Sequence, residues 1–246
     1  MQSARFVWKA TGLAVLLGLG AAWSCPASAQ GLSVDPVVIE LPAGKLAGTL
    51  RLRNGTGKEH LVQLRAFVWH QGLDGRDQLS PTDDLVIGPP LVRLGPGKEQ
   101  VVRVLLRAPV EGERAYRIVA DRLPEAPKGG QIQVHLTLSL PLFAGVPRQK
   151  DSAEPEWGLV PDGKGGSFLT VRNRAGVHLR FDALALRGGT GAYVEIPSNG
   201  SRYVLAGGER RWSLPPGLTL APGQGAQVRF QMRGKTIETA VSRRSS

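Results

Sequence analysis

Apolar and polar residues alternate through most of the chain. The alternation is clear in Thr49-Leu50-Arg51-Leu52-Arg53, from Leu61 to Trp69, from Val101 to Leu106 and from Gln131 to Phe143. A period of two is that of a strand with one buried face. Turn-forming residues divide these runs: Asn54-Gly55, Asp74-Gly75, Gly95-Pro96-Gly97-Lys98 and Lys128-Gly129-Gly130. No stretch of ten residues or more joins helical periodicity to caps. The pattern predicts an all-β fold of short strands, a sandwich or barrel rather than an α/β sheet.

The polar, aperiodic stretch from Pro147 to Pro155 breaks the pattern. It divides the mature chain into a unit over 30–148 and a second over 154–246, each near the usual size of one sandwich domain. The second unit opens at Trp157-Gly158-Leu159-Val160. Strand-like runs follow at Ser167 to Asn173, Arg180 to Leu186, Tyr203 to Leu205 and Gln227 to Met232, and Val241 to Ser246 reads as a frayed basic tail. One strand is unusual. From Gln131 to Leu142 the even positions are Ile132, Val134, Leu136, Leu138, Leu140 and Leu142, a run of about 12 residues where five or six are usual. Its length suggests that it reaches beyond its own core.

The first residues bear on compartment. Arg5 and Lys9 precede an apolar run from Ala10 to Trp23, which ends in Ala27-Ser28-Ala29, and no acid occurs before Asp35. This is the three-part form of a secretory signal peptide over residues 1–29, too short for a stable membrane span. Cleavage near Ala29 would remove Cys25, the only cysteine, and lower the formal charge from +11 to +9. The remaining Lys and Arg are scattered among strands without interleaved aromatic residues, so nucleic acid is not an expected partner. Acidic or carboxylate-bearing partners suit this basic surface better.

Several segments together resemble the PapD-like periplasmic pilus-assembly chaperones, especially the branch serving archaic pili and spore-coat-U-type subunits. They are Ser33-Val34-Asp35-Pro36, Pro89-Pro90-Leu91-Val92-Arg93-Leu94-Gly95-Pro96-Gly97 and Gln100-Val101-Val102-Arg103-Val104. Glu113-Arg114-Ala115-Tyr116-Arg117-Ile118 follows, with Leu123-Pro124, the long alternating strand, Tyr203-Val204-Leu205-Ala206-Gly207-Gly208 and Arg211-Trp212. The resemblance spans the mature chain and rests on their order and spacing. It implies two immunoglobulin-like β-sandwich domains set as an L, a periplasmic location, and two partners: a pilus or spore-coat-U-type subunit that lacks a strand, and an outer-membrane usher that receives it.

The same resemblance implies the site. A chaperone strand completes the subunit by strand addition, and residues 131–142 have the needed form, with Ile132, Val134, Leu136 and Leu138 as the inserted side chains. Four such aliphatics bring a gross gain of about 8 kcal/mol before ordering costs. Better-known members grip the subunit's terminal carboxylate with an Arg and a Lys, but Val38 and Pro141 stand at those places here. Arg117 and Arg122 are the candidate anchors instead.

No enzymatic motif competes with this reading. His60, His70, His135 and His178 are not spaced as a metal pair. Gly95-Pro96-Gly97-Lys98 leads into Glu99, not into the Ser or Thr of a phosphate loop. Neither enzymatic activity nor a metal or cofactor is expected. The alternative is an exported two-domain β-sandwich with an adhesive or carbohydrate-binding surface. Its aromatic content, 6%, is low for that task.

Overall fold

Residues with one buried and one solvated face become strands, and strands are the only regular elements among the described residues. The computed structural model describes residues 31–124, 136–147, 153–197, 202–215, 218, 220 and 224–243. The first half holds β1 (Leu32–Asp35), β2 (Ile39–Pro42), β3 (Ala47–Asn54), β4 (His60–Gln71) and β5 (Asp77–Pro81). It continues with β6 (Leu85–Gly88), β7 (Leu91–Leu94), β8 (Glu99–Leu106), β9 (Arg114–Arg122) and β10 (Thr137–Val146). One sheet runs β1-β3-β8-β6 and the other β2-β10-β9-β4-β5, with β7 also on β4. The even residues Leu50, Leu52, Val102, Val104 and Leu106 of the first sheet meet Leu64, Ile118, Ala120, Leu140 and Leu142 of the second in one core.

The second half holds β11 (Glu156–Pro161), β12 (Ser167–Arg172), β13 (Leu179–Arg180), β14 (Leu184–Gly188) and β15 (Val194–Glu195). It ends with β16 (Tyr203–Val204), β17 (Glu209–Ser213), β18 (Ala226–Met232) and β19 (Lys235–Arg243). Seven strands run in the order β15-β14-β18-β19-β11-β12-β17, and β13 pairs with β16. The parallel pairing of β11 with β19 is brief, Gly158 to Ser242 and Leu159 to Arg243, so the sheet folds there into two layers. Trp157, Leu169, Val171 and Trp212 pack against Leu186, Val228 and Phe230 between them. The frayed tail expected from Val241 is corrected here. Val241 is buried and pairs with Ala226, because the apolar residues of Lys235–Arg243 close this second core.

The two sandwiches share a corner. The buried Asn54 donates through Nδ2 to the carbonyls of Lys58, Leu94 and Gly95, and its Oδ1 accepts from Thr56 N. The buried Asn173 repeats this, donating to Val177, Val204 and Leu205 and accepting from Ala175 N. Each amide joins the end of a strand to the start of a distant turn, satisfying carbonyls that would otherwise be buried without donors. The sequence carries the repeat as Arg53-Asn54-x-x-Gly57 and Arg172-Asn173-x-x-Gly176.

Candidate functional site

The long alternating strand enters the described residues at Leu136 and continues as β10 to Val146, four residues past the expected end. Pro141 does not stop it. Leu136 O accepts from Arg122 N at 3.0 Å, and the register with β9 keeps every pair in step from Thr137–Asp121 to Ala144–Arg114. In an antiparallel ladder the bonded pairs alternate. Leu138, Leu140 and Leu142 therefore bond to β9, and Thr137, Ser139 and Pro141 turn their main-chain groups to the other edge. A proline is tolerated there because its missing N–H costs nothing to the β9 ladder.

That other edge is occupied only in part. The chain crosses from the first sheet at Asp35, which pairs with Arg51, into the second at Ile39, which pairs in parallel with Leu142. β2 covers β10 from the Pro141 carbonyl onward, since Leu142 faces β9 and its parallel pairing with Ile39 runs through Pro141 O and Phe143 N. Among the described residues no strand covers Thr137 to Leu140. The register shifts at Gly145, whose φ is +73°. A Cβ there would lie 2.1 Å from Gly112 O, so only glycine fits.

The odd face of the second sheet turns toward the second sandwich. Trp69, Ala115, Phe143 and Val146 form a small core with Tyr203, and Val38 and Leu205 pack on it. The His178 ring stacks on Phe143 with centroids 3.5 Å apart and planes 9° apart. The β4–β5 turn also reaches across. Gln71 Nε2 donates to Tyr203 O and Gln71 Oε1 accepts from Leu205 N, while Leu73 O accepts from Arg211 N at 2.8 Å. Gly75 (φ +76°) lies so close to the Arg210 guanidinium that an added Cβ would stand 2.2 Å from Nη2.

Two buried guanidiniums belong to this junction. Arg117 lies 2.8 Å from Asp77 Oδ2 and 3.7 Å over the Trp69 ring. Arg210 donates to Tyr203 O and lies over Trp212. Burial pulls both below the ordinary arginine range, opposed at Arg117 by Asp77 and at Arg210 by Asp77 and Asp74.

The expected site residues separate into groups. Ile132 and Val134 lie outside the described residues. Leu136 and Leu138 are half-buried, resting on the first core along their inner side. Arg117 is the register partner of Pro141, level with the end of the uncovered edge, and its side chain is held by Asp77. Arg122 stands at the opposite end of that edge, beside Leu136. Val38 packs into the aromatic cluster. The roles of His178, Glu113, Gln71 and Arg210 at the junction have no sequence motif. The one signal for His178 is its place next to the second Asn corner.

The model of the N-terminal domain of PapD, described as a pili and flagellar-assembly chaperone, matches residues 31–148. Residues 31–148 therefore form a domain of the PapD-like pilus-assembly chaperone family. No curated protein sequence matches it. Among solved structures, a chain of the CsuC–CsuE chaperone–tip adhesion subunit pre-assembly complex, from archaic Csu pili of Acinetobacter baumannii, superposes with a TM-score of 0.65. The identity is 19%, over 87% of this chain and 99% of that one. The E. coli chaperone DraB gives 0.59 at 19% identity, over 87% and 97%. A chain of the Salmonella enterica SafA pilin–SafB chaperone complex gives 0.58 at 15%, over 86% and 96%. At these identities the likeness is one of fold, and it extends through the second sandwich, beyond the family match.

Proposed function

We propose that this PapD-like protein is a periplasmic chaperone that holds an incomplete pilus or spore-coat-U-type subunit by strand addition and passes it to an outer-membrane usher. The reading includes removal of residues 1–29 as a signal peptide, with domains over 30–148 and 154–246. It also assigns the protein to the archaic branch, and its action requires no catalytic step. The observation that carries it is the uncovered edge of β10 from Thr137 to Leu140, where the main-chain groups of Thr137 and Ser139 face outward beside half-buried leucines. An incomplete sandwich offers the complement, an unpaired edge over an apolar groove. The strand from 131 to 142 would lie in that groove with Ile132, Val134, Leu136 and Leu138 inward. Arg117 and Arg122 bracket the uncovered edge as anchor candidates, Arg117 already engaged by Asp77. The carbohydrate-binding alternative lacks support, since Trp69, Trp157 and Trp212 are all buried.

The test is co-expression with a candidate subunit in the periplasm. Soluble subunit should accumulate only with the chaperone present, and Leu136→Arg should abolish co-purification while circular dichroism stays that of the folded chain. Equal soluble subunit with and without the chaperone would remove the proposal. Unfolding of the variant would assign Leu136 to the chaperone's own core.

A further inference from the structure

The uncovered edge has an end built from main chain. Thr137 and Ser139 each direct an N–H outward, and the next outward-facing position is Pro141, which has none. Its carbonyl is already engaged by β2, which begins at Ile39 opposite Leu142. Just before it, Val38 is fixed in the Trp69–Phe143–Tyr203 cluster, and the preceding chain has left for the other sheet at Asp35. A strand laid along β10 can bond through its carbonyls at Thr137 and Ser139. At Pro141 its next carbonyl meets no donor, and past that level its path is blocked.

We infer that Pro141, backed by Val38 and β2, is the stop that sets the register of the added subunit strand. The inference rests on the strand-addition reading and names the determinant within it. A slip by one residue would turn every inserted side chain to the wrong face, and a slip by two would keep the faces but carry a carbonyl onto Pro141. Burying that carbonyl without a donor weakens binding by about tenfold or more. No cation is needed for this stop. Arg117, the register partner of Pro141, is occupied by Asp77 and Trp69.

The test is disulfide mapping on the complex of the full chain with the subunit that co-purifies with it. Ser139→Cys supplies an exposed thiol on the edge, and single cysteines are scanned along the subunit's paired strand. One subunit position should dominate the cross-link. Adding Pro141→Ala restores an outward N–H, so at least a tenfold larger share of cross-link should move two residues along. Adding Arg117→Ala instead should leave the position unchanged. Retention of the original register in Pro141→Ala overturns the proposed stop, whatever Arg117→Ala does. Absence of any cross-link from Cys at position 139, with the complex intact, overturns strand addition itself.

Discussion

His178 of the second sandwich is gripped by Glu113 of the first, with ring Nδ1 2.9 Å from Oε2 and the main-chain N–H donating to Oε1 at 2.7 Å. The Glu113 side chain is 1% exposed, and the ring also stacks on Phe143. Glu40 Oε1 lies 3.8 Å from Nε2 on the other side. One residue is thus held from three elements of the opposite domain. Glu113→Ala leaves the His178 N–H buried without its acceptor and should destabilise by about 1–3 kcal/mol. Calorimetry should show the melting temperature several degrees lower, with loss of the junction appearing as a separate early transition.

Arg117 should behave as a structural cation. Arg117→Ala removes the partner of Asp77 and the cover of Trp69. Breaking a buried pair is costly, but Asp77 keeps 30% of its side chain exposed, so a loss of about 2 kcal/mol is expected. Subunit affinity of the folded fraction should be spared. Unchanged melting with affinity lost would instead mark Arg117 as the carboxylate anchor.

The edge of β10 can be probed with proline itself. At Ser139 the N–H faces outward, as the missing one at Pro141 does, so Ser139→Pro should leave the chaperone folded and weaken subunit binding by about 1–3 kcal/mol. Leu140→Pro removes an N–H that bonds to β9 and should cost about 3 kcal/mol or more of stability. Thermal melts and subunit titration on both variants check the assignment of the two edges.

Tyr116 supplies a test at high pH. Its hydroxyl donates to Asp84 Oδ2 at 3.0 Å, and burial, reinforced by that bond, pushes its pKa up to about 12. A pKa raised on folding stabilises the fold while the group is protonated, below the unfolded value of about 10. That contribution disappears as pH rises from about 10 to 12. Melting temperature should fall through this window, and Tyr116→Phe should flatten the dependence. Tyrosinate absorbance can resolve the group, since the chain has 3 tyrosines.

Strands with one buried face were legible because their period is written in single residues, as in Thr49 to Arg53. The strand pairs of the second half were harder. The run from Arg180 to Leu186 divides into β13 and β14, since Asp182 N and Gln231 N bond across the gap to Gln231 O and Ala183 O. Lys235–Arg243 was missed because its core-facing positions, Ile237, Thr239 and Val241, include a polar residue and only Val241 is fully buried, so the apolar period is weak although the strand lies inside the sheet. The junction was illegible for a different reason. Gln71 to Tyr203 joins the ends of two distant strands and Glu113 to His178 joins two loops, and contacts so far apart in the chain leave no period to read. Only Arg117, flanked by Tyr116 and Ile118, announced a buried charge.

The outward groups of Thr137 and Ser139 belong to the peptide backbone, which every partner chain carries alike. Such an edge distinguishes strands by length and stopping point far more than by identity. Under the proposed strand addition, a single chaperone built this way would attend a set of subunits whose terminal sequences differ, provided each keeps an alternating apolar pattern and ends at the same level. Discrimination among those clients must then fall to contacts away from β10, so swapping the terminal strands of two clients should leave both bound.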